Sequence, residues 1–136
     1  MLYEPFVAAA LAAAAATMPL SPGAAGQDPA AEAGHQLTIT VTDTGEPEHA
    51  QVHTLRCEPA GGDHPEAATA CDVLAELEDP FSPVPPDSLC TYIHGGPATA
   101  VIEGTWAGEP VDAAFARTNG CEVARWDRLV PVLPHV

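Results

Sequence analysis

Ala98-Thr99-Ala100-Val101-Ile102-Glu103-Gly104-Thr105-Trp106-Ala107-Gly108-Glu109-Pro110-Val111-Asp112-Ala113-Ala114-Phe115-Ala116-Arg117 reads as two strands and a tight turn. In the first arm Thr99, Val101, Glu103 and Thr105 alternate with Ala100, Ile102 and Trp106. That two-residue period is the mark of a strand with one buried face. Gly104 interrupts it. Ala107-Gly108 is the turn, and Glu109 to Arg117 returns as the partner strand, with Val111 and Phe115 as its large apolar residues.

Working outward, Leu37-Thr38-Ile39-Thr40-Val41 alternates in the same way and reads as a half-buried strand. Asp43 to Glu48 contains Thr44-Gly45-Glu46-Pro47 and is a turn. Gln51 to Cys57 follows as a strand antiparallel to the first, with Val52 and Thr54 on one face and Leu55 and Cys57 on the other. After a loop holding Gly61-Gly62, Asp63 or His64 precedes Pro65, which suits the first turn of a helix. Between Pro65 and Glu78, Ala70, Val73 and Leu77 recur at steps of three and four, flanked by Cys71 and Leu74, so this is an amphipathic helix. Glu66 near its start suits the dipole, and Pro80 stops it. Pro80, Pro83, Pro85 and Pro86 leave no room for a regular element. Cys121 to Trp126 reads as a short helix, and Val130 to Val136 as a strand-like tail broken by prolines. About five strands, one main helix and one short helix place the chain in the α+β class, an antiparallel sheet with helix packed on one face.

The 136 residues fit one domain. Formal net charge is −15, and the basic residues are Arg56, Arg117, Arg125 and Arg128, with no lysine. That balance argues against nucleic acid, whose phosphates would be repelled, and against an anionic membrane surface. It suits a soluble secreted protein. From Val7 to Thr17 the chain is an Ala-rich apolar run too short to span a bilayer. Small residues follow at Pro22-Gly23-Ala24-Ala25-Gly26. Residues 1–26 therefore read as a signal peptide, although Met1 to Pro5 carries Glu4 and no cation. Residues 27–35 read as a flexible lead-in segment, and 36–136 as the folded domain.

Cys57, Cys71, Cys90 and Cys121 are an even set, consistent with an oxidising, extracellular destination. Four cysteines permit three pairings. Joining Cys57 to Cys71 would close about 14 residues, worth roughly 3 kcal/mol, and joining Cys90 to Cys121 about 31 residues, worth roughly 4 kcal/mol. There is no Cys-x-x-Cys spacing, so no metal is expected. His35, His49, His53, His64, His94 and His135 are scattered, no serine sits in a Gly-x-Ser-x-Gly elbow, and no Gly-rich phosphate loop occurs. Neither an enzyme nor a cofactor is expected. What stands out is Cys90-Thr91-Tyr92-Ile93-His94-Gly95-Gly96-Pro97, an aromatic and a β-branched residue fenced by a cysteine and by Gly-Gly-Pro. With the cysteine bridged, such a segment would be held extended and exposed, the form a protease active site accepts.

Several blocks carry a resemblance: Thr54-Leu55-Arg56-Cys57, Gly62-Asp63-His64-Pro65, Ala70-Cys71, Cys90-Thr91, Glu103-Gly104-Thr105-Trp106-Ala107-Gly108 and Phe115-Ala116-Arg117-Thr118-Asn119-Gly120-Cys121. The chain resembles the subtilisin inhibitor family of secreted actinomycete serine-protease inhibitors. The resemblance implies a five-stranded antiparallel sheet with two helices, the pairings Cys57–Cys71 and Cys90–Cys121, and a homodimer formed through the sheets. It implies a reactive bond at Tyr92–Ile93, with Cys90 and Thr91 on its substrate side, His94 beyond it, and Asn119 supporting the loop from behind. The implied partners are extracellular serine endopeptidases of subtilisin-like and chymotrypsin-like specificity. Tyr92 would disfavour trypsin, whose pocket takes a cation. From Cys90 to Pro97 the chain is one residue longer than the family pattern, and His94-Gly95-Gly96 replaces an aromatic and an acidic residue. The extra glycines are expected to loosen the leaving-group side.

A preorganised loop loses little conformational entropy on binding, and after attack the new amine stays beside the acyl-enzyme and can reseal. The alternative function is a secreted, non-inhibitory binding module on the same scaffold. For single residues the plainer readings are Tyr92 as a core aromatic, Asn119-Gly120 as a simple turn, and His94 as a solvated side chain.

Overall fold

Alternating apolar and β-branched residues draw Gln36–Thr42 (β1), Gln51–Arg56 (β2), Thr99–Trp106 (β3) and Glu109–Phe115 (β4) into one antiparallel sheet of order β2-β1-β3-β4. The structure is a computed structural model describing residues 34–136, so the expected signal peptide and residues 27–33 lie outside the described residues. In the register Ile39 faces His53 of β2 and Ile102 of β3, and Ile102 faces Ala113 of β4. A slip of one residue would turn Leu37, Ile39 and Val41 out of the core. The hairpin is as expected: Trp106 pairs with Glu109 across Ala107-Gly108, and both turn residues have positive φ, 51° and 79°. This is the primed two-residue turn that matches strand twist. Gly104 breaks the alternation because the β1 backbone comes in close. A Cβ there would lie 2.1 Å from the Gln36 carbonyl oxygen.

One face of the sheet is covered by Ala67–Glu76 (α1), by Gly120–Asp127 (α2) and by the C-terminal tail. Leu37, Ile39, Val41, Leu55, Ala100, Ile102, Ala113 and Phe115 on the sheet pack with Ala70, Leu74, Trp126, Leu129, Val132 and Leu133. Cys57–Cys71 staples the end of β2 to α1, and Cys90–Cys121 ties the segment before β3 to α2, which are the pairings the resemblance implies.

Among the described residues the sheet has four strands, not the five expected, because the tail does not extend. Pro131 and Pro134 have no N–H to give to a ladder. The N–H groups of Leu129, Val130 and Leu133 fold back onto the carbonyls of Trp126, Asp127 and Leu129. A coiled tail buries Val132 and Leu133 together, whereas a strand would place neighbouring residues on opposite faces.

α1 starts at Ala67, later than Pro65 suggests, and Glu66 at its N-cap makes no side-chain cap bond. Asp63 and His64 are occupied elsewhere. Asp63 Oδ1 accepts from the Thr54 N–H at 2.6 Å and from its hydroxyl at 3.1 Å. The Thr54 N–H, followed by the hydroxyl, holds the Asp63 carboxyl below its ordinary pKa. His64 is buried; its Nδ1 accepts from the Glu66 N–H at 3.0 Å, so Nε2–H donates to the Val132 carbonyl at 3.1 Å. His64 thereby joins the approach to α1 to the tail.

Arg125 of α2 organises the proline-rich stretch. Its guanidinium donates to the carbonyls of Ser82 (2.8 Å), Ala114 (2.7 Å) and Phe81 (3.3 Å), and lies 3.9 Å over the Phe115 ring. Of the lead-in segment, Gly34 and His35 make defined contacts. The Gly34 carbonyl accepts from the Gly108 N–H, and the His35 ring lies 4.5 Å from Trp106 with Nδ1 accepting from the Ala107 N–H.

Candidate functional site

Between the proline-rich stretch and β3, residues 89–96 cross the surface outside any strand or helix. Three large apolar residues fall close together and stay uncovered: Leu89 is 100% exposed, Tyr92 102% and Ile93 62%. Scattered exposed apolar residues are ordinary, but a run of them on one loop marks a binding surface. Tyr92 is therefore not a core aromatic. Trp106 and Phe115 are the hairpin's inward aromatics, Phe115 buried and Trp106 half-buried beside Phe81.

The loop is exposed yet tied on both sides, and every one of these ties runs to residues 117–121. Cys90 is bridged to Cys121, with Cα atoms 5.3 Å apart. The Thr91 carbonyl accepts from the Gly120 N–H at 3.0 Å. Beyond the apex, the Gly95 N–H donates to the Arg117 carbonyl at 2.7 Å, and Arg117 Nε donates back to the Gly95 carbonyl at 3.0 Å. Tyr92, Ile93 and His94 stand between these two sets of ties. His94 accepts at Nδ1 from the Gly96 N–H at 3.1 Å, so its ring helps shape the turn into Pro97.

The frame is placed by the start of α2. Asn119 has extended backbone, and its Oδ1 accepts from the Glu122 N–H at 3.0 Å, a standard helix N-cap. The cap fixes where the helix begins and so where the Gly120 N–H and Cys121 point. The Asn119 side chain thus caps α2, while the peptide that follows it bonds the loop. Asn119 also lines the shallow depression beside Thr91 and Tyr92. Both supporting glycines are dictated by close approach. A Cβ on Gly120 would lie 2.0 Å from Thr91 Oγ1, and one on Gly95 would lie 2.7 Å from Val123 Cγ2 and 2.9 Å from Arg117 Nε. Gly95, one of the extra glycines, is tied at both its N–H and its carbonyl, each bonded to Arg117.

The loop thus brings together Cys90, Thr91, Tyr92, Ile93 and His94, with Cys121 and Asn119 behind. Leu89, Arg117, Gly95 and Gly120 are parts the sequence reading missed. Leu89 carried a faint signal, a large apolar residue between Ser88 and Cys90. Arg117 carried none, because its contact with Gly95 spans 22 residues and follows no period. Chemically the site offers a peptide bond in an accessible loop.

Residues 31–119 match the family model described as subtilisin inhibitor-like. Subtilisin inhibitor-like protein 1 of Streptomyces cacaoi is 35% identical over 77 residues, covering 53% of this chain and 69% of that protein. The subtilisin inhibitor of Streptomyces violaceus is 32% identical over 126 residues, covering 85% of this chain and 86% of its own. Among solved structures, Streptomyces caespitosus sermetstatin in complex with Bacillus licheniformis subtilisin is similar at 25% identity and a TM-score of 0.45, covering 71% of this chain and 97% of that one.

Proposed function

We propose, because this chain belongs to the subtilisin inhibitor-like family, that it is a secreted inhibitor presenting the Tyr92–Ile93 bond to extracellular serine endopeptidases of subtilisin-like or chymotrypsin-like specificity. The family consists of inhibitors rather than enzymes. The observation that carries the reading is a fully exposed Tyr92 on a loop tied to residues 117–121 on both sides. Tyr92 fills the primary pocket of the protease, and Leu89, three residues earlier, adds a second apolar contact. Thr91, already held by Gly120, reaches the enzyme with little freedom left to lose. A second copy of the chain packs on the face of the sheet opposite α1 and α2. There Thr40 stands opposite Val52 and Val101, and Val52 is 54% exposed.

The test is inhibition of subtilisin and chymotrypsin by the oxidised protein. Burying a tyrosine covers about 150–200 Å² at about 25 cal/mol per Å², or about 4–5 kcal/mol. Tyr92→Gly should therefore weaken inhibition by about 10³-fold. The side chain is fully exposed, so unfolding should change little. Tyr92→Lys should move inhibition toward trypsin. Absence of inhibition at micromolar concentration would refute the function, and full inhibition by Tyr92→Gly would refute the site. Protease-independent binding through the same loop would support the non-inhibitory module instead.

A further inference from the structure

Arg117 is buried, although it is one of only four cations on a strongly acidic chain. Its contacts lead in one direction. Nη1 donates to Asp127 Oδ1 at 2.8 Å, the guanidinium lies 5.7 Å from the Trp126 ring centroid, and Nε donates to the Gly95 carbonyl at 3.0 Å. The planar fork is held by α2 on one edge and grips the loop with the other. A lysine ammonium cannot span both. We infer that Arg117 is a positioning residue that retains the leaving-group half of the reactive loop after the bond is cut, so that the bond re-forms. This inference rests on the inhibitory reading of Tyr92–Ile93.

The chemistry defines what must be held. The protease serine oxygen attacks the Tyr92 carbonyl carbon, and the bond to the Ile93 nitrogen breaks. The serine proton passes through the protease base to that nitrogen, leaving an acyl-enzyme and a free Ile93 amine. Religation runs the same step backwards: the amine attacks the ester, the serine oxygen leaves and regains its proton. The acyl half stays in place through the Thr91 carbonyl bond to Gly120, immediately beside Tyr92. Cys90 and Cys121 lie on opposite sides of the scission, so their bridge keeps the halves joined. The amine half depends on the grip at Gly95, two residues from Ile93. The Gly95 N–H bond to the Arg117 backbone carbonyl survives a side-chain change; were Gly95 freed altogether, the next firm anchor would be β3, which starts at Thr99, six residues from Ile93, and this sets the upper limit of the effect. A threefold longer free segment lowers effective concentration by about fivefold, following the −3/2 power of length.

The experiment equilibrates the oxidised protein with catalytic subtilisin from both the intact and the cleaved side. Mass spectrometry then reads the intact-to-cleaved ratio, the cleaved form being one water heavier. Arg117→Lys is expected to lower that ratio by up to about fivefold, and backbone NMR of the free variant to show greater mobility across Ile93 to Gly96. Asp127→Ala releases the far edge of the fork at an exposed position, so it keeps the test available if Arg117→Lys folds poorly; it should shift both readouts the same way. A lower melting temperature with an unchanged ratio and unchanged loop mobility in both variants makes Arg117 only a scaffold residue and overturns the inference. If the wild-type protein is cut without inhibiting, the inhibitory reading fails first and the inference falls with it.

Discussion

The two disulfides should separate when removed one at a time. Cys57–Cys71 closes 14 residues and Cys90–Cys121 closes 31. On the chain-entropy relation, their removal as alanine pairs costs about 3.0 and about 3.7 kcal/mol. A domain of this size commonly has about 5–15 kcal/mol of stability, so either variant stays mostly folded. Their effects on the loop should differ sharply. Cys57→Ala/Cys71→Ala loosens β2 from α1 and touches no residue between 89 and 96. Cys90→Ala/Cys121→Ala leaves the substrate side of the loop on a single hydrogen bond, Gly120 N–H to Thr91. It also lets the cut halves part. Urea midpoints report the stability cost, and a stoichiometric mixture with subtilisin sampled over hours reports cleavage. Both midpoints should fall by similar amounts, while only the Cys90→Ala/Cys121→Ala variant is cut at Tyr92–Ile93 and releases active enzyme. If that variant resists cleavage as long as the wild type, the bridge is a general staple and the assignment of its role is wrong.

Two further perturbations test the frame and the scaffold. Gly120→Ala puts a Cβ 2.0 Å from Thr91 Oγ1, an overpacking worth about 1–3 kcal/mol. Adding Thr91→Ala should restore much of that loss in urea unfolding, and strictly additive effects would show that the contact is not what Gly120 serves. Asp63 has a folded pKa below its unfolded value, chiefly through the Thr54 N–H. Its contribution is therefore present above the unfolded pKa of about 4 and lost as pH falls through the lower folded value. Asp63→Asn should be less stable than wild type at neutral pH, and the gap should narrow below about pH 4. A gap constant from pH 7 to pH 2 contradicts the charge-assisted bond.

Much of the architecture was legible in local pattern. The period-two runs around Ile39, Leu55 and Ile102 each announce a strand. Ala107-Gly108 announces its turn, and Ala70 with Leu74 a helix face, because each signal lies within a few residues. The tail shows where pattern stops. Val130 to Val136 has strand-like composition, yet Pro131 and Pro134 deny it a ladder and the core takes Val132 and Leu133 as a coil. Asp63 and His64 sit where a helix cap belongs, and partners outside the helix, Thr54 and Val132, claim them. The same division runs through the loop. Cys90, Tyr92 and the two glycines can be read in order along the chain and point to a constrained, accessible peptide bond. The grip on Gly95 cannot, since it arises only when residues 117–121 fold against residues 90–95. Short-range periodicity and turn chemistry specify elements. Contacts between distant residues, such as Arg117 with Gly95, have no local signature and come into being only with the packed chain.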